Sequence, residues 1–228
     1  MNQEKDLLAN LSRRLSAEAL GSFFLFAAVV GSGIMAERLS GGNSGVALLA
    51  NTIATGAMLF VLIGILAPIS GANMNPAVSL VAAIRGDLAW WDTVPYVLVQ
   101  IGGGLLGVWV VHLMFDAPIL ETSIKARHGI GQWTGEFVAT FGLILTIVGT
   151  AKHRPDGIPA AVAMYIVAAY WFTSSTSFAN PAITIARSLS DSFAGIAPAD
   201  VPGFILAQLA GAIAGSFVAS WLFPNAPV

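Results

Sequence analysis

The stretch that decides the fold is SFANPAITIARS, residues 177–188, because its Asn-Pro-Ala also occurs a hundred residues earlier in SGANMNPAVSL, residues 70–80. Both copies sit in unusually apolar surroundings. No Asp, Glu, Lys, Arg or His occurs between Arg38 and Arg85, between Asp156 and Arg187, or after Asp200. Such gaps suit hydrocarbon, where a central charge costs about 2.5 kcal/mol or more. Proline breaks a helix interior but is favoured in the first helical turn, and Asn is a strong N-cap type. Each Asn-Pro-Ala therefore predicts a fresh helix start inside an apolar region.

The composition supports a membrane setting. Of 228 residues, 56% are hydrophobic and 10% charged, against about 25% charged in an ordinary soluble domain. A net charge of -2 and the lack of any Lys/Arg run exclude a nucleic-acid surface and a lipid-binding basic tail. Zero cysteines exclude disulfides and thiolate metal sites and leave the redox compartment open. His112, His128 and His153 are scattered without metal-site spacing. His153 reads as a solvated loop residue, with a pH gate as the alternative.

A span needs about 20 apolar residues. Residues 15–36, 45–68, 93–115, 132–151, 159–173 and 201–222 supply six candidates, the first interrupted by Glu18 and the fourth carrying Glu136. Residues 1–14 form a polar leader expected on the cytosolic side, and Trp90 with Trp91 reads as an interfacial anchor. The charge-free region after residue 68 is too long for the second crossing alone, so residues 75–84 and 180–189 remain as short helical pieces at membrane depth.

The chain repeats itself. AEALGSF (17–23) matches GEFVATF (135–141), the two Asn-Pro-Ala follow, and YVLVQIGGGLLG (96–107) matches FILAQLAGAIAG (204–215). Gln100 and Gln208 are each followed by glycines at +3 and +7, the spacing of close helix contact in membranes. With three spans per repeat the second half enters the bilayer inverted. The fold class is then an all-α membrane protein of six transmembrane helices and two re-entrant half-helices, one domain over residues 15–228 with repeats at 15–115 and 132–222. With the N-terminus inside, Lys5, Arg13, Arg14, Arg85, Lys152 and Arg154 are cytosolic, against Arg38, Lys125, Arg127 and Arg187 outside. That excess favours a multi-pass inner (plasma) membrane protein with cytoplasmic termini.

The two short helices would meet tip to tip near the midplane, their N-termini carrying partial positive charge that repels cations. Asn75 and Asn180 offer amide donors to a passing oxygen, Pro76 and Pro181 start the helices, and Ala77 and Ala182 keep the meeting point small. Glu18 and Glu136 are read as structural acceptors for the N–H groups of their own loops, with a proton relay as the alternative. Gln100 and Gln208 are read as buried braces.

These residues together resemble the aquaporin family of water and small-solute channels over nearly the whole chain after the leader. The resemblance implies one pore per subunit, a homotetramer, and no enzymatic activity or cofactor; the partners are water, small neutral solutes and the lipid bilayer. It also implies a selectivity filter at four positions, carried over by ungapped counting from the two Asn-Pro-Ala. These are Thr55, Ala168, Ser177 and Ile183. Water-selective relatives place Phe, His, a small residue and Arg there, so the expectation here is a wide, amphipathic opening without the arginine. Glycerol-conducting members usually keep that Arg, followed by Asp, where this chain has Ile183 and Thr184.

The variant NPAITIARSLSDSFAG (180–195) is similar to a bacterial branch lacking the filter arginine, some of whose members accompany arsenic detoxification. That implies passage of neutral arsenic hydroxides or methylated arsenicals. Arg187, one turn beyond Ile183, is either an outer positive ring favouring anionic or strongly polar solutes, or a side chain snorkelling to the surface or bound to loop carbonyls. The competing functions are a glycerol/urea facilitator, an ion-coupled secondary transporter, which usually needs acids near the midplane, and an intramembrane enzyme, for which no nucleophile-base pair is visible.

Overall fold

The computed structural model describes residues 2–224, with side chains from Asn10 onward; the side chain of Lys5, counted above as cytosolic, lies outside the described residues. Among them the chain is all-helical: α1 Asn2–Leu39, α2 Ser44–Ser70, α3 Pro76–Arg85, α4 Trp90–Met114, α5 Ile130–His153, α6 Ile158–Phe172, α7 Pro181–Arg187 and α8 Val201–Leu222. Five of these are long and apolar enough to cross a bilayer. The sixth expected span, α6, has 15 residues, about 22 Å at 1.5 Å per residue. It is preceded by the 3-10 turn Pro155–Gly157 and followed by a non-helical segment, and is not among the five. The leader does not stand apart from the first span: both belong to the 38-residue α1, as its Glu, Lys, Leu and Ala content favours.

The two halves pack alike. α1 lies against α4 as α5 lies against α8, and α2 meets α6 across the halves. The close pairs depend on the repeated glycines. A Cβ on Gly103 or Gly107 would strike the carbonyls of Ala19 or Phe23 in α1. On Gly211 or Gly215 it would strike those of Phe137 or Phe141 in α5. In lipid, helix association rests on such backbone approach because apolar side chains gain little by leaving an equally apolar solvent.

The short helices α3 and α7 both contact α4 and α8, and touch each other. α7 is shorter than the expected piece. It stops at Arg187, and the chain then turns to cover one end of the bundle. There Ser123 N–H donates to the Ser188 carbonyl (2.9 Å) and Ala197 N–H to the Lys125 carbonyl (2.7 Å), stitching the α4–α5 connection over the α7–α8 connection. Buried His112 serves the same brace, with Nδ1 3.0 Å from the Ile119 carbonyl and Nε2 3.0 Å from Ser190 Oγ.

Replacing Gly103 or Gly211 by Ala is expected to force the helix pairs apart and sharply lower the yield of monodisperse protein in detergent. Gly102→Ala, where a Cβ meets nothing within 4 Å, should behave as wild type in the same size-exclusion assay.

Candidate functional site

Each Asn-Pro-Ala lies at the end of a loop whose backbone is left-handed at the same two places. Ala72 and Met74 have φ of 50° and 49°, and Ser177 and Ala179 have 49° and 48°. These are the third and first residues before Asn75 and Asn180. Non-glycine residues in this region cost about 1–3 kcal/mol each unless their surroundings enforce the conformation.

Two buried carboxylates enforce it. Glu18 accepts from the N–H groups of Asn73 (2.9 Å) and Met74 (2.7 Å), the Ser70 hydroxyl (2.6 Å) and Gln100 Nε2 (2.8 Å). Glu136 accepts from Phe178 N–H (2.8 Å), Ala179 N–H (2.9 Å) and Gln208 Nε2 (2.6 Å). Both glutamates are 0% exposed, so their charge is compensated by donors rather than by water. The glutamines also reach Ser79 Oγ and Thr184 Oγ1, both at 2.9 Å, and thereby tie the loop to the helix it begins. Thr184 is part of this brace.

The asparagines then join the halves. Asn75 Oδ1 accepts from Ala77 N–H and Asn180 Oδ1 from Ala182 N–H, capping α3 and α7. Asn75 Nδ2 donates to the Ala179 carbonyl at 2.7 Å, and Asn180 Nδ2 donates to the Met74 carbonyl at 2.8 Å. Each amide nitrogen carries two protons, and one is spent across the seam. Both asparagines line the cavity.

That cavity has a volume of about 550 Å³ and reaches from Ile183 and Arg187 on α7, past the asparagines, to Asp156 in the 3-10 turn and Pro159 in the first turn of α6. α2 gives it the stripe Thr55, Leu59, Ile63; α6 gives it Val162, Ile166, Tyr170. Its wall is therefore largely apolar, with polar groups at the asparagines and near Arg187.

Thr55, Ser177 and Ile183 lie on the wall as expected. Ala168 does not: it is exposed on the outer surface of the chain and absent from the wall. Tyr170 lines the wall instead; it is buried and donates from its hydroxyl to Thr55 Oγ1 at 3.3 Å. Two residues turn a helix by about 200°, so the ungapped count selected the opposite face of α6. The signal that finds Tyr170 is the i, i+4, i+8 stripe Val162, Ile166, Tyr170. An aromatic ring, not the Ala168 methyl group, therefore stands on this part of the wall.

Arg187 is 2% exposed and does not snorkel. Nε donates to the Ala194 carbonyl, its Cζ lies 3.3 Å from the centre of the Phe178 ring, and the residue lines the cavity. Beside it, over the same Phe178 ring, stands Arg127, for which the sequence analysis has no site role. Its Nε donates to the Gly195 carbonyl (2.8 Å), Nη1 to the Ser175 carbonyl (3.2 Å), and its Cζ is 5.0 Å from the same ring. Lys125 completes the cluster, donating to the Phe193 carbonyl at 2.6 Å. Burial, then repulsion by Arg127 and Arg187, pulls its ammonium down to about 8.

The description Major intrinsic protein matches residues 7–173. The chain belongs to that family. It is a multi-pass membrane protein of this channel family. It is 51% identical over 220 residues to the aquaglyceroporin AqpS of Rhizobium meliloti (strain 1021), covering 96% of this chain and 94% of that protein. It is 30% identical over 212 residues to aquaporin NIP1-4 of Oryza sativa subsp. japonica, covering 90% and 75%. The crystal structure of the aquaglyceroporin from Plasmodium falciparum superposes with a TM-score of 0.70 at 20% identity, covering 94% of this chain and 96% of that one. That likeness establishes the aquaporin fold.

Glu136→Gln keeps the side-chain shape but sets an amide against backbone N–H donors. Losing one charge-assisted bond and burying a mismatched donor costs about 2–4 kcal/mol. A thermal-unfolding midpoint in detergent equal to wild type would remove the clamp role.

Proposed function

We propose that this channel passes water and small uncharged solutes down their gradients, through a single domain (15–228) that assembles as a homotetramer in the inner membrane with cytoplasmic termini. The observation that carries the reading is the wall. From Arg187 to Asp156 the cavity passes two asparagine amides and the N-termini of α3 and α7, and Asp156 is the one carboxylate among its lining residues. Glu18 and Glu136 are fully buried behind the loops, already bonded, and so cannot serve as the midplane ion ligands a coupled transporter needs.

The filter reading places Thr55, Tyr170, Ser177 and Ile183 at the outer constriction. Ile183 contributes neither the charge nor the donors of an arginine, while Tyr170 and Thr55 supply hydroxyls opposite apolar atoms. Such a passage suits solutes with one wettable and one apolar side, which includes glycerol, urea and, as the finer proposal, uncharged arsenic hydroxides and methylated arsenicals. The 51%-identical relative is itself called an aquaglyceroporin, which supports solutes beyond water. The lack of cysteine removes thiolates, the soft ligands that would retain trivalent arsenic.

Stopped-flow light scattering on reconstituted vesicles checks this with water, glycerol, urea and arsenite. Flux should rise linearly with the gradient and ignore a proton gradient; saturating, ion-coupled uptake would overturn the channel. Ile183→Arg should reduce glycerol and arsenite passage several-fold more than water. Equal loss of all of them in correctly assembled protein removes Ile183 from the filter.

A further inference from the structure

Pro68 lies inside α2, in its last turn. A proline has no backbone N–H, so the carbonyl four residues before it, that of Gly64, loses its helical donor. The neighbouring donors are committed elsewhere. In an α-helix the Ala67 N–H belongs to the Ile63 carbonyl, and the Gly71 N–H bonds the Ala67 carbonyl at 3.0 Å. Among the described residues no loop N–H reaches Gly64 either. At membrane depth a carbonyl freed in this way must be satisfied by a neighbouring helix, a side chain or water.

The surroundings of the carbonyl select water and what travels with it. A helix carbonyl points along the axis, toward the residues three and four ahead. Gly64, Ala67 and Pro68 all line the cavity, so the Gly64 oxygen lies among wall residues. Little covers it: Gly64 has no side chain, Ala67 has only a methyl group, and a Cβ added at Gly64 would meet no atom within 4 Å. Thr55 on α2 meets Tyr170 near the end of α6, so the last turns of α2 lie toward the Asp156 end of the cavity. The wall there also carries Ile63, Leu143, Ile147 and Val162, whose side chains offer no hydrogen bond. Water crosses an apolar stretch as a chain, each molecule bonded to those before and behind it. A larger solute that fills the section is cut off from such neighbours and depends on the wall.

We propose that the Gly64 carbonyl, freed by Pro68, is a binding station in the Asp156 half of the cavity, which accepts the O–H or N–H donors of small uncharged solutes as they pass. The proposal rests on the channel reading and deepens it by naming what the solute must carry. The station sits near the C-terminus of α2, where the helix dipole is negative and an acceptor is strengthened. A proline in this turn therefore supplies a polar contact without placing a polar side chain in the lumen.

The experiment measures water, urea and glycerol permeability of reconstituted vesicles carrying Pro68→Ala. The substitution returns an N–H to the Gly64 carbonyl, and alanine is the better helix former, so the variant should assemble. Urea and glycerol permeability should each fall by a similar factor, about two- to tenfold, the effect of one hydrogen bond lost in passage, while water falls less. A passage narrowed by straightening of α2 would instead lower glycerol more than urea, because glycerol is the wider molecule. That outcome overturns the station, as does wild-type flux of both solutes. Pro68→Gly restores the same N–H on a flexible backbone and decides the matter if the alanine variant misassembles. Wild-type vesicles that pass neither water nor solute defeat the channel reading itself; vesicles that pass water but neither solute remove the station alone.

Discussion

Irregular backbone at bilayer depth survives only if the protein satisfies each N–H and C=O itself. Every other feature of this channel depends on how the two Asn-Pro-Ala loops meet that constraint. Their left-handed residues turn consecutive N–H groups toward one point, and a glutamate from the first helix of the same half occupies that point. The carbonyls left over face the seam, where the opposing asparagine amides take them. An intramembrane carboxylate is ordinarily a functional suspect. Here its oxygens are consumed in ordering backbone, which explains its burial.

The clamp also explains the glycines. Glu18 must reach its loop from α1 while Gln100 on α4 reaches both Glu18 and Ser79, and this requires α1 and α4 nearly in backbone contact. Gly103 and Gly107, one and two turns beyond Gln100, permit it. The second half reproduces the arrangement with Gln208, Gly211 and Gly215. Helix packing and loop conformation are therefore one problem solved twice, and the repeat is visible in sequence because the same contacts recur.

That recurrence sets what a reader of the sequence can recover. Residues held by symmetry-related bonds, namely the two Asn-Pro-Ala, Glu18, Glu136, Gln100 and Gln208, were legible because each had a counterpart at matching spacing. Tyr170 was not, since its assignment depends on the length of the segment between α6 and Asn180, and loop length has no counterpart to check against. The periodic stripe on α6 carried the answer, but counting from the motif overrode it. Arg127 was invisible for a further reason. It comes from a connection whose path over α7 is set by bonds to backbone carbonyls at Ser175 and Gly195, and backbone acceptors leave no residue-type signature.

The distribution of charge follows from the same geometry. The cavity passes the N-termini of α3 and α7, and at its outer end it meets Arg187 with Arg127 and Lys125 behind it. In the low dielectric of a narrow passage these like charges reinforce one another, so a cation must cross them with no carboxylate for company until Asp156 at the far end. An anion is attracted to the mouth but must shed its water against a wall of Leu, Ile and Val, a loss that two amide protons and one guanidinium cannot offset. Neutral molecules with a few well-placed oxygens face neither obstacle. On the filter proposed above, the positive charge of Arg187 sits one turn beyond Ile183, so discrimination by charge is separated along the axis from the narrowing assigned there to Tyr170, Thr55 and Ile183.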